Sequence, residues 1–148
     1  MIEIKHFNLS EFDSKTSPGS GERMRISTLL KLDKARELFG SAIVVNHAFR
    51  TKADATRIMK NYPGAVRNSA HELGYAVDVR PDSGLHTVED WTAFLECLYA
   101  AGFRRFGIMA GAVHVDDDPA RSFAMWDYTS TKPNVWLAVN IWWKSKNK

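Results

Sequence analysis

The chain has 148 residues, of which 45% are apolar and 25% are charged, so it is long enough to enclose one hydrophobic core without disulfides or structural metals. The single cysteine, Cys97, excludes an internal disulfide. The net charge is only +3 and the basic residues are scattered, so we expect no nucleic-acid partner. We expect one domain over residues 1–148 and a monomer.

The first half of the chain predicts two helices and a strand. Apolar residues at near-helical spacing predict a helix from Glu22 to Phe39, with Gly40 as its C-terminal stop. Residues 42–46 are rich in β-branched side chains and predict a short buried strand. A second helix is predicted over residues 52–60, with Thr51 as its cap and the sequence Asn61-Tyr62-Pro63-Gly64 as its end.

The middle of the chain predicts a strand over residues 75–79, ended by the turn sequence Pro81-Asp82-Ser83-Gly84. Thr87, with Asp90 three residues later, predicts a capping box at the start of a helix over residues 88–99. Cys97 lies in the apolar pattern of this helix, which predicts a buried thiol. Gly102 is the predicted stop.

Residues 103–109 and 112–116 predict two strands so close together that we expect an antiparallel hairpin, turning at Ala110 and Gly111. Residues 135–143 are compatible with an edge strand or with a last helix packed on the body, and we favour packing. This apolar run is too short to span a bilayer, and residues 1–6 lack the apolar core of a secretory signal. We therefore expect synthesis in the cytosol and no transmembrane segment.

The mixture of helices with hairpin-connected strands predicts an α+β fold: a small, mainly antiparallel sheet with helices packed on one side. Alternation along the strands places Asp78 opposite the apolar stripe of its strand, and places His114 and Asp116 together on one face. Gly74 allows a sharp turn between His71 and this strand. Two histidines and a carboxylate are ligands of the kind that a catalytic zinc ion takes, although a turn-forming Asp and hydrogen-bonded histidines fit the same spacing.

Two short sequence patterns carry a more specific signal. Ser69, His71, Gly74, Ala76 and Asp78 form the pattern Ser-x-His-x-x-Gly-x-Ala-x-Asp, followed by the tripeptide His114-Val115-Asp116. Both patterns resemble the signatures of the zinc D-alanyl-D-alanine metallopeptidases, which belong to a superfamily with the lysostaphin-type enzymes and the hedgehog signalling domain. The resemblance extends over residues 7–128 and leaves residues 129–148 as a C-terminal extension without an assigned role.

The resemblance implies one Zn²⁺ ion held by His71, Asp78 and His114 on the open face of the sheet. It also implies hydrolysis of peptidoglycan peptides, as a D,D-carboxypeptidase or an endopeptidase such as a phage endolysin. Because no secretory signal is visible, we expect such an enzyme to reach the cell wall by phage lysis or within a virion. The alternative is an inactive, zinc-containing cell-wall-binding module of the same fold, as the hedgehog branch illustrates.

The resemblance also suggests roles for other residues. Arg50 falls where the family has an arginine, and we expect it to stabilise an oxyanion or to bind a substrate carboxylate. Some relatives have a Glu or a His shortly before the last histidine, where this chain has Gly111 and Ala112. Asp116 is therefore the candidate general base, or alternatively a residue that orients an imidazole.

Four further residues are predicted to contribute to substrate binding. They are His47, Ser69, Trp126 and Tyr128. Ser69 has a second predicted role, which is to stabilise the loop that carries His71.

Overall fold

The structure, a computed structural model, describes residues 3–61, 68–128 and 131–147. These residues form four α-helices and a five-stranded sheet with the strand order β1-β2-β4-β3-β5. Neighbouring strands are antiparallel except β3 and β5, which are parallel. The helices are α1 (Ile26–Phe39), α2 (Lys52–Asn61), α3 (Val88–Ala100) and α4 (Pro133–Lys146), and the strands are β1 (Ile43–His47), β2 (Ala76–Pro81), β3 (Arg105–Ile108), β4 (Val113–Asp116) and β5 (Ala124–Asp127).

One face of the sheet packs against helices α1, α3 and α4 and forms the hydrophobic core. Its β-branched and aromatic side chains alternate along the strands as predicted, and those of the central strands are fully buried. The sheet contributes Val77, Val79, Phe106, Ile108, Val113 and Val115, and the helices contribute Leu32, Phe94, Leu95, Leu98 and Val139, among others. The predicted α+β architecture is therefore confirmed, and the opposite face of the sheet is free for polar side chains.

The start of α1 was predicted too early. The helix begins at Ile26 and not at Glu22, because Met24 and Arg25 are extended and the Arg25 N–H donates to the carbonyl of Gly74 at 2.9 Å. Residues Ser20–Arg23 form a separate 3₁₀ turn. The end was predicted correctly, since Gly40 has the left-handed conformation of a C-terminal cap.

Local sequence signals located the ends of other elements well. The capping box is present, because Thr87 Oγ1 accepts a hydrogen bond from the Asp90 N–H at 3.1 Å and Asp90 accepts one from the Thr87 N–H at 3.0 Å. The hairpin turn is also confirmed, with the Met109 N–H donating to the carbonyl of Ala112 at 3.0 Å. The end predicted for α2 includes residues 62–64, which lie outside the described residues.

The C-terminal part of the chain contains two elements that the sequence left open. Residues 135–143 lie within helix α4, not in an edge strand, and Val135, Val139 and Trp142 anchor the helix to the core. Strand β5 was not predicted. No helix within residues 3–61, 68–128 and 131–147 has the length and apolarity needed to span a membrane.

The prediction for Cys97 needs a correction. Its side chain is partly exposed and not buried, because it lies at the margin of the α3 face that packs on the core. Partial burial, together with the neighbouring Glu96 carboxylate, raises the pKa of the Cys97 thiol.

Candidate metal centre

A row of residues crosses the polar face of the sheet, with one residue from each strand. His47 pairs with Asp78, Asp78 with His114, His114 with Gly107, and Gly107 with Trp126. Residues directly opposite each other in neighbouring strands project from the same face of a sheet. The order of the strands therefore brings two histidines, a carboxylate and an aromatic ring together from distant parts of the chain.

His47 reaches this face because of an irregularity in β1. Val45 pairs with Val79 and His47 pairs with Asp78, so two residues of β1 are matched to one residue of β2. Without this bulge at Asn46, His47 would lie on the same face as Val45, towards the core. The bulge therefore turns an imidazole out of the core and beside Asp78. Partial burial lowers the pKa of His47. This lowering outweighs the attraction of the Asp78 carboxylate, which by itself would raise the pKa.

His71 enters the site from the tight loop that precedes β2. Gly74 has a φ of 82°, and a Cβ atom at this position would lie 2.7 Å from the carbonyl oxygen of Arg23, so both the turn and the close packing require glycine. Ser69 and Glu72 brace the loop: the Ser69 N–H donates to Glu72 Oε2 at 3.0 Å, and the Glu72 N–H donates to Ser69 Oγ at 3.5 Å. Ser69 thus lies within the hydrogen-bonded loop that carries His71.

Three donor atoms form a nearly equilateral triangle. His114 Nδ1 lies 3.0 Å from Asp78 Oδ1 and 3.2 Å from His71 Nε2, and His71 Nε2 lies 3.2 Å from Asp78 Oδ1. A tetrahedral ion with ligand bonds of about 2.0–2.1 Å needs its ligand atoms about 3.3 Å apart. The three side chains are buried and could hold a metal ion. The spacing and the chemistry of the donors therefore fit Zn²⁺.

The hydrogen bonds around the two histidines fix which ring nitrogens face the triangle. His71 Nδ1 lies 2.8 Å from the carbonyl oxygen of Ala48, and His114 Nε2 lies 2.8 Å from Asp116 Oδ2. Both partners are acceptors, so both of these ring nitrogens must carry hydrogen. In the neutral rings, His71 Nε2 and His114 Nδ1 then carry no hydrogen. Their lone pairs converge with an oxygen of Asp78. Three acceptors at this spacing repel one another unless a cation lies between them.

The electrostatics of the site agree with this view. Protons on the two imidazoles can take the place of a cation between the donors. In that protonated form, burial raises the pKa of Asp78, but attraction to His71 and hydrogen bonds from both histidines outweigh it and hold the pKa well below its usual range. Burial lowers the pKa of His114, and the hydrogen bonds and charges of Asp116 and Asp78 outweigh it, so the pKa is raised. Both directions indicate that the cluster attracts positive charge.

Asp116 contacts the back of His114, away from the triangle. Its Oδ2 accepts the His114 Nε2–H, and its Oδ1 accepts a hydrogen bond from Arg105 Nε at 2.8 Å. Only 1% of its surface is exposed. Since both oxygens are occupied and solvent is excluded, these contacts favour the orienting role over that of a general base.

An aromatic wall, formed by Trp126 and Tyr128, closes one side of the site. The rings lie 5.5 and 5.8 Å from the His114 ring, centre to centre. They can approach so closely because residue 107 is a glycine: a Cβ atom there would lie 2.9 Å from the Trp126 indole and would overlap the Tyr128 ring. Half of Tyr128 is exposed, so the wall can also contact a bound molecule.

A cleft of about 550 Å³ opens beside Asp78, between the N-terminal loop and helix α2. Its floor includes His47 and Arg50, and both side chains are partly exposed. The backbone N–H of Arg50 donates to the carbonyl of His71 at 3.2 Å, which links the cleft to the loop of the metal site. Of the predicted site residues, His47, Arg50 and Asp78 line this cleft. His71 and His114 meet Asp78 in the donor triangle, while Asp116, Trp126 and Tyr128 contact His114 and Ser69 lies in the preceding loop.

Two residues that border the site, Arg105 and Gly107, were not predicted as site residues. The signal was present: a hairpin that turns at Ala110 and Gly111 must pair residue 105 with Asp116 and residue 107 with His114, as observed. The carbonyl of Ala48 was also missed, because a backbone acceptor has no sequence signature.

The fold and the donor set define a small α+β protein with a candidate metal centre of two histidines and one aspartate. A family model described as Peptidase M15 matches residues 5–116, which include all three donors. The chain therefore belongs to the peptidase M15 family, and the resemblance to the zinc D-alanyl-D-alanine metallopeptidases is confirmed. A comparison with curated proteins finds no match.

Proposed function

We propose that this protein is a zinc-dependent peptidase that hydrolyses peptidoglycan peptides, as a D,D-carboxypeptidase or an endopeptidase. The observation that carries the proposal is the convergence of His71 Nε2, Asp78 Oδ1 and His114 Nδ1 within 3.2 Å of one another, in a chain that matches a peptidase family. The proposal includes action on the cell wall after release, for example during phage lysis.

His71, Asp78 and His114 would hold the ion on the side of the sheet where Asp78 borders the cleft. When bound, Zn²⁺ supplies Lewis-acid polarisation of a carbonyl group and lowers the pKa of water towards neutrality. Asp116 keeps the His114 imidazole in the tautomer that offers Nδ1, and the carbonyl of Ala48 does the same for Nε2 of His71. Two outer acceptors thus maintain the ligand set.

The cleft beside Asp78 is the proposed substrate site. The guanidinium of Arg50 is permanently charged, so it can bind a substrate carboxylate or stabilise the negative charge that develops on a carbonyl oxygen. The partly exposed imidazole of His47, whose lowered pKa favours the neutral ring at pH 7, can exchange hydrogen bonds with the peptide. The aromatic wall of Trp126 and Tyr128 supplies apolar contact on the opposite side of His114.

The test is to incubate the purified protein, with one equivalent of zinc, with purified peptidoglycan and to identify the released groups by mass spectrometry. We expect new amino groups from cleavage at D-amino acids, and the released fragment distinguishes a carboxypeptidase from an endopeptidase. His71→Ala, Asp78→Ala and His114→Ala should each remove both zinc and hydrolysis while the protein stays folded.

The matched control is His6→Ala, the same substitution at an exposed histidine outside the site, which should keep both properties. Full hydrolysis by a zinc-free His71→Ala variant would refute the proposal. Wild-type protein that binds zinc and peptidoglycan without releasing amino groups would instead identify the inactive cell-wall-binding module.

A further inference from the structure

Arg105 lies outside the two signature patterns, yet it contacts Asp116, the hydrogen-bond partner of His114. We propose that Arg105 is a positioning residue, which acts through Asp116 to hold His114 with Nδ1 towards the metal. This inference rests on the proposed zinc site and extends it to the residue that contacts Asp116.

The chain of contacts is continuous. Arg105 and Asp116 are directly opposite each other in β3 and β4, so their side chains project from the same face of the sheet. Arg105 Nε donates to Asp116 Oδ1 at 2.8 Å, and Asp116 Oδ2 accepts the hydrogen of His114 Nε2 at 2.8 Å. Each oxygen of the carboxylate therefore has a separate task, and Asp116 joins a fixed positive charge to a metal-ligand imidazole.

Burial makes Asp116 dependent on Arg105. The side chain of Asp116 is 1% exposed and that of Arg105 is 14% exposed, so water gives the carboxylate little compensation. Besides Arg105, the described contacts of Oδ1 include the backbone N–H of Asp118 at 3.4 Å, which is a long hydrogen bond. Without the guanidinium, the buried carboxylate loses its charge-assisted partner, and its position behind His114 is no longer fixed.

Arg105 is itself held in place from two further sides. Its Nη1 donates to the carbonyl of Ser122, and its guanidinium carbon lies 5.0 Å from the centre of the Trp126 ring. These contacts fix the guanidinium plane, so that Nε rather than a terminal nitrogen faces Asp116. A lysine has no comparable planar set of donors and could restore only the charge.

The experiment compares Arg105→Met with Arg104→Met, a matched loss of the adjacent arginine. Arg104 donates to the carbonyls of Tyr99 and Phe103 and stacks on the Tyr99 ring, away from the metal centre. We would measure zinc affinity by competition with a chelator and record the visible absorption spectrum of the Co²⁺-substituted proteins. Loss of a direct hydrogen-bond partner of a metal-ligand histidine typically costs 10–100-fold in affinity, and Arg105 acts one contact further out, through Asp116. Arg105→Met should therefore bind zinc up to about 10-fold more weakly and shift the Co²⁺ spectrum. Arg104→Met should do neither.

Two further variants separate a positioning role from a general loss of stability. In an Asp116→Asn background, Arg105→Met should cause little additional loss of affinity, because Arg105 acts through Asp116. Arg105→Lys should recover part of the affinity, and it serves as the test if Arg105→Met does not fold. Unchanged affinity and spectrum in both Arg105 variants, or an equal loss with and without Asp116, would overturn the inference while leaving the zinc site intact. Failure of the wild-type protein to bind zinc would contradict the proposed function itself.

Discussion

Gly107→Ala is a one-methyl change that should displace the aromatic wall without touching a metal ligand. Gly107 lies in β3 beside His114, and its backbone is not in the left-handed region, so alanine fits the strand itself. The obstacle is the wall. The new Cβ would lie 2.9 Å from the Trp126 indole and would overlap the Tyr128 ring.

The size of the effect follows from contact distances. Non-bonded carbon atoms are stable at about 3.5–4.0 Å, so the indole must retreat by roughly 0.6 Å or more, and Tyr128 must move further. Overpacking costs about 1–3 kcal/mol, and we expect the lower end because Tyr128 is 50% exposed and can swing into solvent. Because displacements of about 1 Å at an active site can reduce rates 100-fold, kcat/KM should fall by roughly 10-fold or more.

The assay measures zinc content, urea unfolding and peptidoglycan hydrolysis on the same preparations. Gly111→Ala is the control, because Gly111 has a φ of 99° and open space around it, so alanine adds backbone strain of about 1–2 kcal/mol without moving the wall. We expect full zinc content in both variants and reduced hydrolysis only in Gly107→Ala. Unchanged hydrolysis in Gly107→Ala would refute the role of the wall.

Three other predictions follow from the structure. Trp142→Ala should lower the free energy of unfolding by about 3–5 kcal/mol in urea titrations, because Trp142 packs on Tyr99 and Phe106; a loss below about 1 kcal/mol would contradict the assignment of α4 to the core. Burial raises the pKa of Asp54, but hydrogen bonds from Ser14 and Thr16 and the Arg57 charge outweigh it and lower the pKa. The folded protein thus binds fewer protons, so stability is present above the unfolded pKa of about 3.9 and is lost as pH falls through the lower folded value. Acid titration should show this loss in the wild type and less of it in Asp54→Asn, and identical profiles would argue against it. His47→Ala should keep its zinc and raise KM, because His47 lines the cleft without belonging to the donor triangle; loss of zinc from this variant would contradict the geometry.

Local signals in the sequence were sufficient for most of the fold. The capping box at Thr87, the stop at Gly40 and the turn at Ala110 and Gly111 depend on contacts between residues a few positions apart. Alternation in the strands then placed the valines in the core and His114 on the opposite face. Such features are fixed by short-range sterics and hydrogen bonds, which explains why they can be read without coordinates.

Other features depend on long-range contacts and could not be predicted. The start of α1 is set by the hydrogen bond from Arg25 to Gly74, which a helical pattern does not report. The orientation of His47 depends on a bulge of one residue, and a shift of one position reverses the face of a strand. Strand β5 forms by parallel pairing with β3, so its partner lies far from it along the chain.

The sequence predicted the three donors of the candidate metal centre, and its surroundings were less predictable. His71, Asp78 and His114 stand in a specific pattern, and the structure brings their donor atoms together. The pattern left two roles open for Asp116, and the contacts with His114 and Arg105 favour the orienting role. That distinction depends on which way a carboxylate faces, which spacing along the chain does not determine.

The most direct measurement is anomalous X-ray diffraction at the zinc absorption edge from crystals of the protein grown with one equivalent of zinc. One peak should lie about 2.0–2.2 Å from each of His71 Nε2, Asp78 Oδ1 and His114 Nδ1. A zinc peak elsewhere, or none between these three side chains, would contradict the account.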